Sequence, residues 1–106
     1  MKYHKFDIVL VDLNPVIGSE QSGVRPCIII QNDLVNAFAK TFVVAIISSV
    51  IKYYPHTLVV DPSPENGLTV ISRLDFLQVR TIDEKRIIKR LGGLELAYHS
   101  HCQQAI

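Results

Sequence analysis

The chain has 106 residues, 48% of them hydrophobic, and a formal net charge of +1. That size fits a single domain spanning residues 1–106, with a core small enough that oligomerisation or close packing is expected to support it. The apolar content excludes a disordered chain. No apolar run is long enough for a membrane-spanning helix, and a broad electrostatic footprint on nucleic acid would need more positive charge. The start, Met1-Lys2-Tyr3-His4-Lys5, does not read as a signal peptide. Cys27 and Cys102 have neither metal-ligand nor redox spacing and read as free thiols in a reducing cytoplasm.

Strand signals come one after another. Phe6–Asp12 is the first, and a long loop, Leu13–Pro26, follows it, its polar side chains Ser19, Glu20, Gln21 and Ser22 clustered between Gly18 and Gly23. A loop of that length in so small a domain is more often functional than decorative. Pro26–Gln31 and Thr41–Ser49 are nearly continuous apolar runs, as in strands covered on both faces. Asn32 or Asp33 can cap a short helical turn over Asn32–Phe38. Thr57–Val60 is a short strand ended by Pro62, Pro64 and Gly67, and Thr69–Leu74 with Phe76–Thr81 reads as one bent strand or two. Asp83 can cap a helix over Glu84–Leu91, stopped by Gly92-Gly93, and Leu94–Ile106 reads as a terminal helix. The expected architecture is a small, strongly curved, mainly antiparallel barrel carrying a terminal helix.

Arg25 ends the polar loop, and Pro26 restricts its backbone to extended conformations. It is either a strand-edge arginine paired with a carboxylate or an anion grip. Ser48 and Ser49 interrupt the most apolar strand and mark where it emerges at a rim, one facing in and one out. If Ser48 shares that rim with Arg25, a phosphate fits between hydroxyl and guanidinium. Glu20 and Gln21 at the loop tip are either solvated or positioned to move a proton and read base edges. His56 follows Tyr53-Tyr54-Pro55 and is either a surface histidine or a base-stacking one, and the tyrosines beside Lys52 are either a stacking platform or strand-end packing. Lys85, Arg86, Lys89 and Arg90 would form a basic helical cluster, most simply a solvated face. Arg73 and Arg80 flank Phe76–Val79 and can pair with Asp75 or Asp83. None of His4, His56, His99 and His101 has the spacing of a metal site.

Taken together, four ordered blocks resemble the MazF/PemK (Kid) family of toxin endoribonucleases. They are the loop Asp12–Pro26 with Ile30–Asp33 after it, Val43–Ser48, Leu77–Asp83 and Arg90–Leu94. The resemblance covers almost the whole chain. It implies an SH3-like barrel of the Kid/MazF/CcdB type, a homodimer, and metal-independent, cofactor-free cleavage of single-stranded RNA. It also implies a cognate MazE-like antitoxin whose disordered tail folds over the RNA groove. Arg25 and Ser48 match the family's catalytic arginine and Thr/Ser hydroxyl; Ser48 keeps the hydroxyl but not threonine's methyl. In the PemK branch an acid stands just before the Gln-x-Arg-Thr block, where this chain has Leu77, with Asp75 two residues earlier.

The chemistry expected is attack by the RNA's own 2′-hydroxyl on the adjacent phosphorus, giving a 2′,3′-cyclic phosphate and a 5′-hydroxyl. Arg25 would stabilise the dianionic phosphorane, Ser48 would hold a phosphate oxygen, and Glu20 is the candidate base. Ser19, Gln21, Ser49, His56 and Arg80 are the candidate RNA contacts. A non-catalytic gyrase poison of the CcdB type is the alternative. That branch relies on a Trp-Gly-Ile end, whereas this chain has no tryptophan and ends Gln103-Gln104-Ala105-Ile106.

Overall fold

The computed structural model describes residues 2–14 and 23–106. Strands β1 (Asp7–Asp12), β2 (Val24–Ile29), β3 (Thr41–Ser48), β4 (Thr57–Val60), β5 (Ser72–Asp83) and β6 (Ile87–Gly93) form one sheet in the order β4-β5-β3-β2-β1-β6. Every neighbouring pair is antiparallel. Helix α1 (Asp33–Asn36) is one turn, and α2 (Leu96–Ala105) closes the chain. Asn32 caps α1, its side chain accepting from the Val35 N–H at 3.0 Å.

The apolar runs are buried on both faces, and strand alternation divides them. Val9, Val11, Cys27, Ile29, Val44 and Ile46 pack with Tyr3 and Phe42 on one face. Ile8, Ile28, Ala45 and Ile47 pack with Leu74, Phe76 and Cys102 of α2 on the other. This is the period-two placement that a continuous β-branched run requires when both faces are covered.

The segment that leaves edge strand β4 reaches across to β6, the other edge strand of the sheet. Asn66 is fully buried there. It donates to the Asp61 carbonyl at 2.9 Å and accepts from the Ser63 and Leu68 N–H groups at 3.0 Å each. The turn so pinned presents the Glu65 carbonyl to the Gly93 N–H at 2.9 Å. It lies so close to β6 that a Cβ on Gly92 would stand 2.2 Å from the Glu65 oxygen. We expect Gly92→Ala to lower stability by about 3 kcal/mol, read as an earlier urea midpoint; an unchanged midpoint would mean that this turn does not press on β6.

The segment expected as helix, Glu84–Leu91, is different. Asp83 does cap, its carboxylate accepting from the Lys85 N–H at 2.8 Å, but only one 3-10 turn (Glu84–Arg86) follows. Ile87–Gly93 then joins β1 as a strand. The open edge of β1 offers a ladder that outweighs modest helix propensity. The basic residues therefore do not share a helical face: Arg90 is bound to Asp7 at 3.1 Å, while Lys89 lies beside Leu10. The Thr69–Thr81 region is one strand starting at Ser72 and bent between Asp75 and Val79, where β3 advances only from Ile46 to Ala45.

Candidate active site

The β2–β3 ladder runs Ile29↔Val44, Ile28↔Ala45 and Cys27↔Ile46, then stops. Pro26 comes next and has no N–H to give. Continuing the register places Pro26 opposite Ile47 and Arg25 opposite Ser48. Past the last pair the strands part, and a cavity of about 410 Å³ opens there, lined by Arg25, Pro26, Ser48, Ser49, Thr69 and Ser72 among others. Arg25 and Ser48, expected on one rim, thus line the same opening. Ser48 is buried, and its Oγ accepts from the Val50 N–H at 3.1 Å. That bond fixes the side chain and leaves the hydroxyl proton to donate.

The registers also align charge. Arg25 is on the face of Cys27, as are Ile46 and Ser48; across β5 the partners of Ile46 and Ser48 are Asp75 and Arg73, and that of Val44 is Arg80. Three guanidinium groups and one carboxylate therefore belong to one sheet face, Arg25, Arg73 and Asp75 toward Ser48 and Arg80 farther along beside Val44. Their field reaches Cys27, where Arg80 and Arg25 both favour the thiolate, yet burial dominates and pushes the thiol up to about 12.

Asp75 is buried and fully engaged. Its carboxylate accepts from the Leu77 N–H at 3.0 Å, Gln78 Nε2 at 2.9 Å and the Tyr54 hydroxyl at 3.2 Å, with Arg73 Nη2 at 3.4 Å. It fastens the bend in β5 and orients Arg73, whose guanidinium lies 5.3 Å from the Tyr54 ring centroid. Arg73 Nε and Nη1 are buried with no hydrogen-bond partner among the described residues. Of the two pairings open in the sequence for Arg73, the structure has Asp75. Two residues apart on a strand share a face, which is the only sequence signal for this pair.

Of the other candidates, Ser49 lines the cavity and is exposed. His56 does not line it: its backbone is left-handed at φ 63°, and its Nδ1 lies 2.8 Å from the Ala105 carbonyl at the end of α2. Arg80 is half-buried on the Cys27 face. Ser19, Glu20 and Gln21 lie outside the described residues. Thr69 and Ser72 add hydroxyls to the cavity that the sequence did not single out. Among the described residues, no three His, Cys, Asp or Glu side chains group as a metal site, and no helix is long and apolar enough to cross a membrane.

Cys27 and Cys102 are free and buried. Burial is the main cause in both, raising Cys27 from 9.0 to about 12 and Cys102 from 9.0 to about 11. Below about pH 9 both thiols are neutral in either state and their contribution to stability is complete. Above it the unfolded chain ionises first, so stability falls as pH rises toward the folded values. A Cys27→Ala/Cys102→Ala variant should lose less stability between about pH 8 and about pH 10.5 than the parent; equal losses by denaturant titration would show that the thiols do not contribute.

Residues 4–106 match the family model for the PemK-like, MazF-like toxin of type II toxin–antitoxin systems. The chain is 38% identical over 91 residues to the endoribonuclease EndoA of Bacillus subtilis (strain 168), covering 84% of this chain and 78% of that protein. Its fold is similar to an endoribonuclease in complex with its cognate antitoxin from a mycobacterial species, at TM-score 0.80 and 17% identity over 97% of this chain and 89% of that one. The Mycobacterium tuberculosis toxin MazF-mt6 has the same fold, at TM-score 0.79 and 21% identity over 94% and 91% of the two chains.

Proposed function

The chain belongs to the PemK-like, MazF-like toxin family of type II toxin–antitoxin systems, and on that premise we propose that it is a sequence-specific, ribosome-independent endoribonuclease acting on single-stranded RNA in the cytoplasm. The observation that carries this reading is the cavity between the parted ends of β2 and β3, lined by Arg25 and Ser48 together. A phosphodiester seated there meets a guanidinium on one side and a hydroxyl donor on the other.

The substrate supplies its own nucleophile. The 2′-oxygen attacks phosphorus, its proton goes to a base, and the bond to the 5′-oxygen breaks as that oxygen gains a proton. Arg25 stabilises the extra negative charge of the phosphorane and can donate to the departing 5′-oxygen. Ser48 donates to a non-bridging oxygen, held in place by its bond from Val50. Glu20 serves as the base, with Ser19, Gln21, Ser49 and Arg80 contacting RNA, and with His56, which lies outside the cavity, contacting RNA that extends beyond it. The reaction so written uses no metal and no cofactor.

The low net charge fits a short unpaired site whose base edges are read directly. Val24, Val50, Val70 and Ile71 are exposed apolar residues at or beside the cavity mouth, suited to a homodimer contact and to the apolar side chains of a MazE-like antitoxin tail. The gyrase-poison alternative is the weaker reading, since EndoA, a relative of this chain, is an endoribonuclease by name.

Arg25→Ala should cut RNA roughly 100- to 1000-fold more slowly while folding normally. Equal cleavage by parent and variant, with chelator present, would remove the enzyme assignment. In a second measurement, an oligonucleotide with a single 2′-deoxy sugar at the cut position should resist cleavage; scission there would contradict 2′-hydroxyl attack.

A further inference from the structure

Leu10 is the register partner of Pro26 on β2 and of Lys89 on β6. The three side chains therefore form one row across three strands, about 10 Å from end to end. Along this row lies a second hollow of about 260 Å³, lined by Leu10, Pro26, Leu68, Thr69, Lys89 and Leu91. Pro26, Leu68 and Thr69 line the Arg25–Ser48 cavity as well. The two hollows are thus one groove, bending round the start of β2 with Pro26 at its elbow.

The groove changes character along its length. Its first part is mixed, with Arg25, Ser48, Ser49 and Ser72 set among Val24, Ile47 and Val70. Its second part is walled by Leu10, Pro26, Leu68 and Leu91 and ends at a single ammonium. Arg90, next in sequence, is tied to Asp7; Lys89 is exposed, and no carboxylate lies within ion-pair reach of it among the described residues. An apolar slot ending in one cation, continuous with a phosphate grip, fits a ring followed by another phosphate.

We propose that this second hollow is a subsite for the nucleotide flanking the scissile phosphate, with the ring against Leu10, Pro26 and Leu91 and the next phosphate on Lys89. The proposal rests on the endoribonuclease reading above. Lys89 adds affinity for longer substrates, and Thr69, shared by both hollows, offers a hydroxyl to a base edge at the elbow.

The test compares the parent protein with Lys89→Ala and Lys89→Arg on one cleavable RNA, used long and also trimmed from each end to the nucleotides at the cut. For the long RNA, Lys89→Ala should raise KM about tenfold, and the slope of log(1/KM) against log salt should weaken by roughly 0.7, one phosphate contact on a single strand. Lys89→Arg should keep both. On the RNA trimmed at the flanking side, parent and Lys89→Ala should become alike. If the parent cuts RNA but Lys89→Ala changes neither KM nor the salt slope, the subsite is refuted. If the parent cuts no RNA at all, the underlying reading fails instead.

Discussion

The end of the β2–β3 ladder at Cys27↔Ile46 is the constraint on which the site depends. A proline at position 26 cannot extend the ladder, so two strands held in strict register by buried β-branched residues must separate at the rim. Register fixes who faces whom across the gap. One residue of slip would place Arg25 opposite Ile47 or Ser49 and turn Ser48 away from it. The packing of Cys27, Ile29, Val44 and Ile46 in one face is therefore what sets Arg25 against Ser48, at the cost of a short unpaired stretch where the cavity opens.

Contacts on both sides brace that arrangement. On one side, the Asp75 carboxylate gathers the bend in β5, the Tyr54 hydroxyl and Arg73, so that the strand carrying Ser48's partner is fixed. On the other, the Asn66-pinned turn joins the sheet edges and supplies Leu68 and Thr69 to the groove wall. The termini lock together behind the site. Phe6 adopts a left-handed backbone at φ 74° and stacks on His99 of α2 at 3.9 Å, and its carbonyl accepts from the Leu94 N–H at 2.9 Å. A preorganised cation and donor act on developing charge without reorganising at the moment of reaction, which is what such scaffolding provides.

Much of this was legible in the residues. Continuous β-branched runs marked the strands, Asn32 marked its cap, and the ordered blocks from Asp12 to Leu94 marked the family. The Glu84–Leu91 segment departs from its helical expectation although its local signals are real: Asp83 does cap, and Gly92-Gly93 are the last residues of the strand. What no local signal carried was the open edge of β1, which draws Ile87–Gly93 into the sheet. The meeting of Arg25 and Ser48 was legible only as a conditional, since it depends on the register between two strands. The place of Lys89 depends on the same open edge, since a helix would group it with Lys85 rather than with Leu10 and Pro26.

The central claim is that Arg25 and Ser48 grip one phosphate across the gap. The direct measurement is a double-mutant cycle on RNA cleavage with Arg25→Ala, Ser48→Ala and the double variant. Two groups acting on the same phosphate are strongly coupled, so the double variant should be little slower than the worse single variant. Losses that multiply, each side chain contributing independently of the other, would contradict a shared grip.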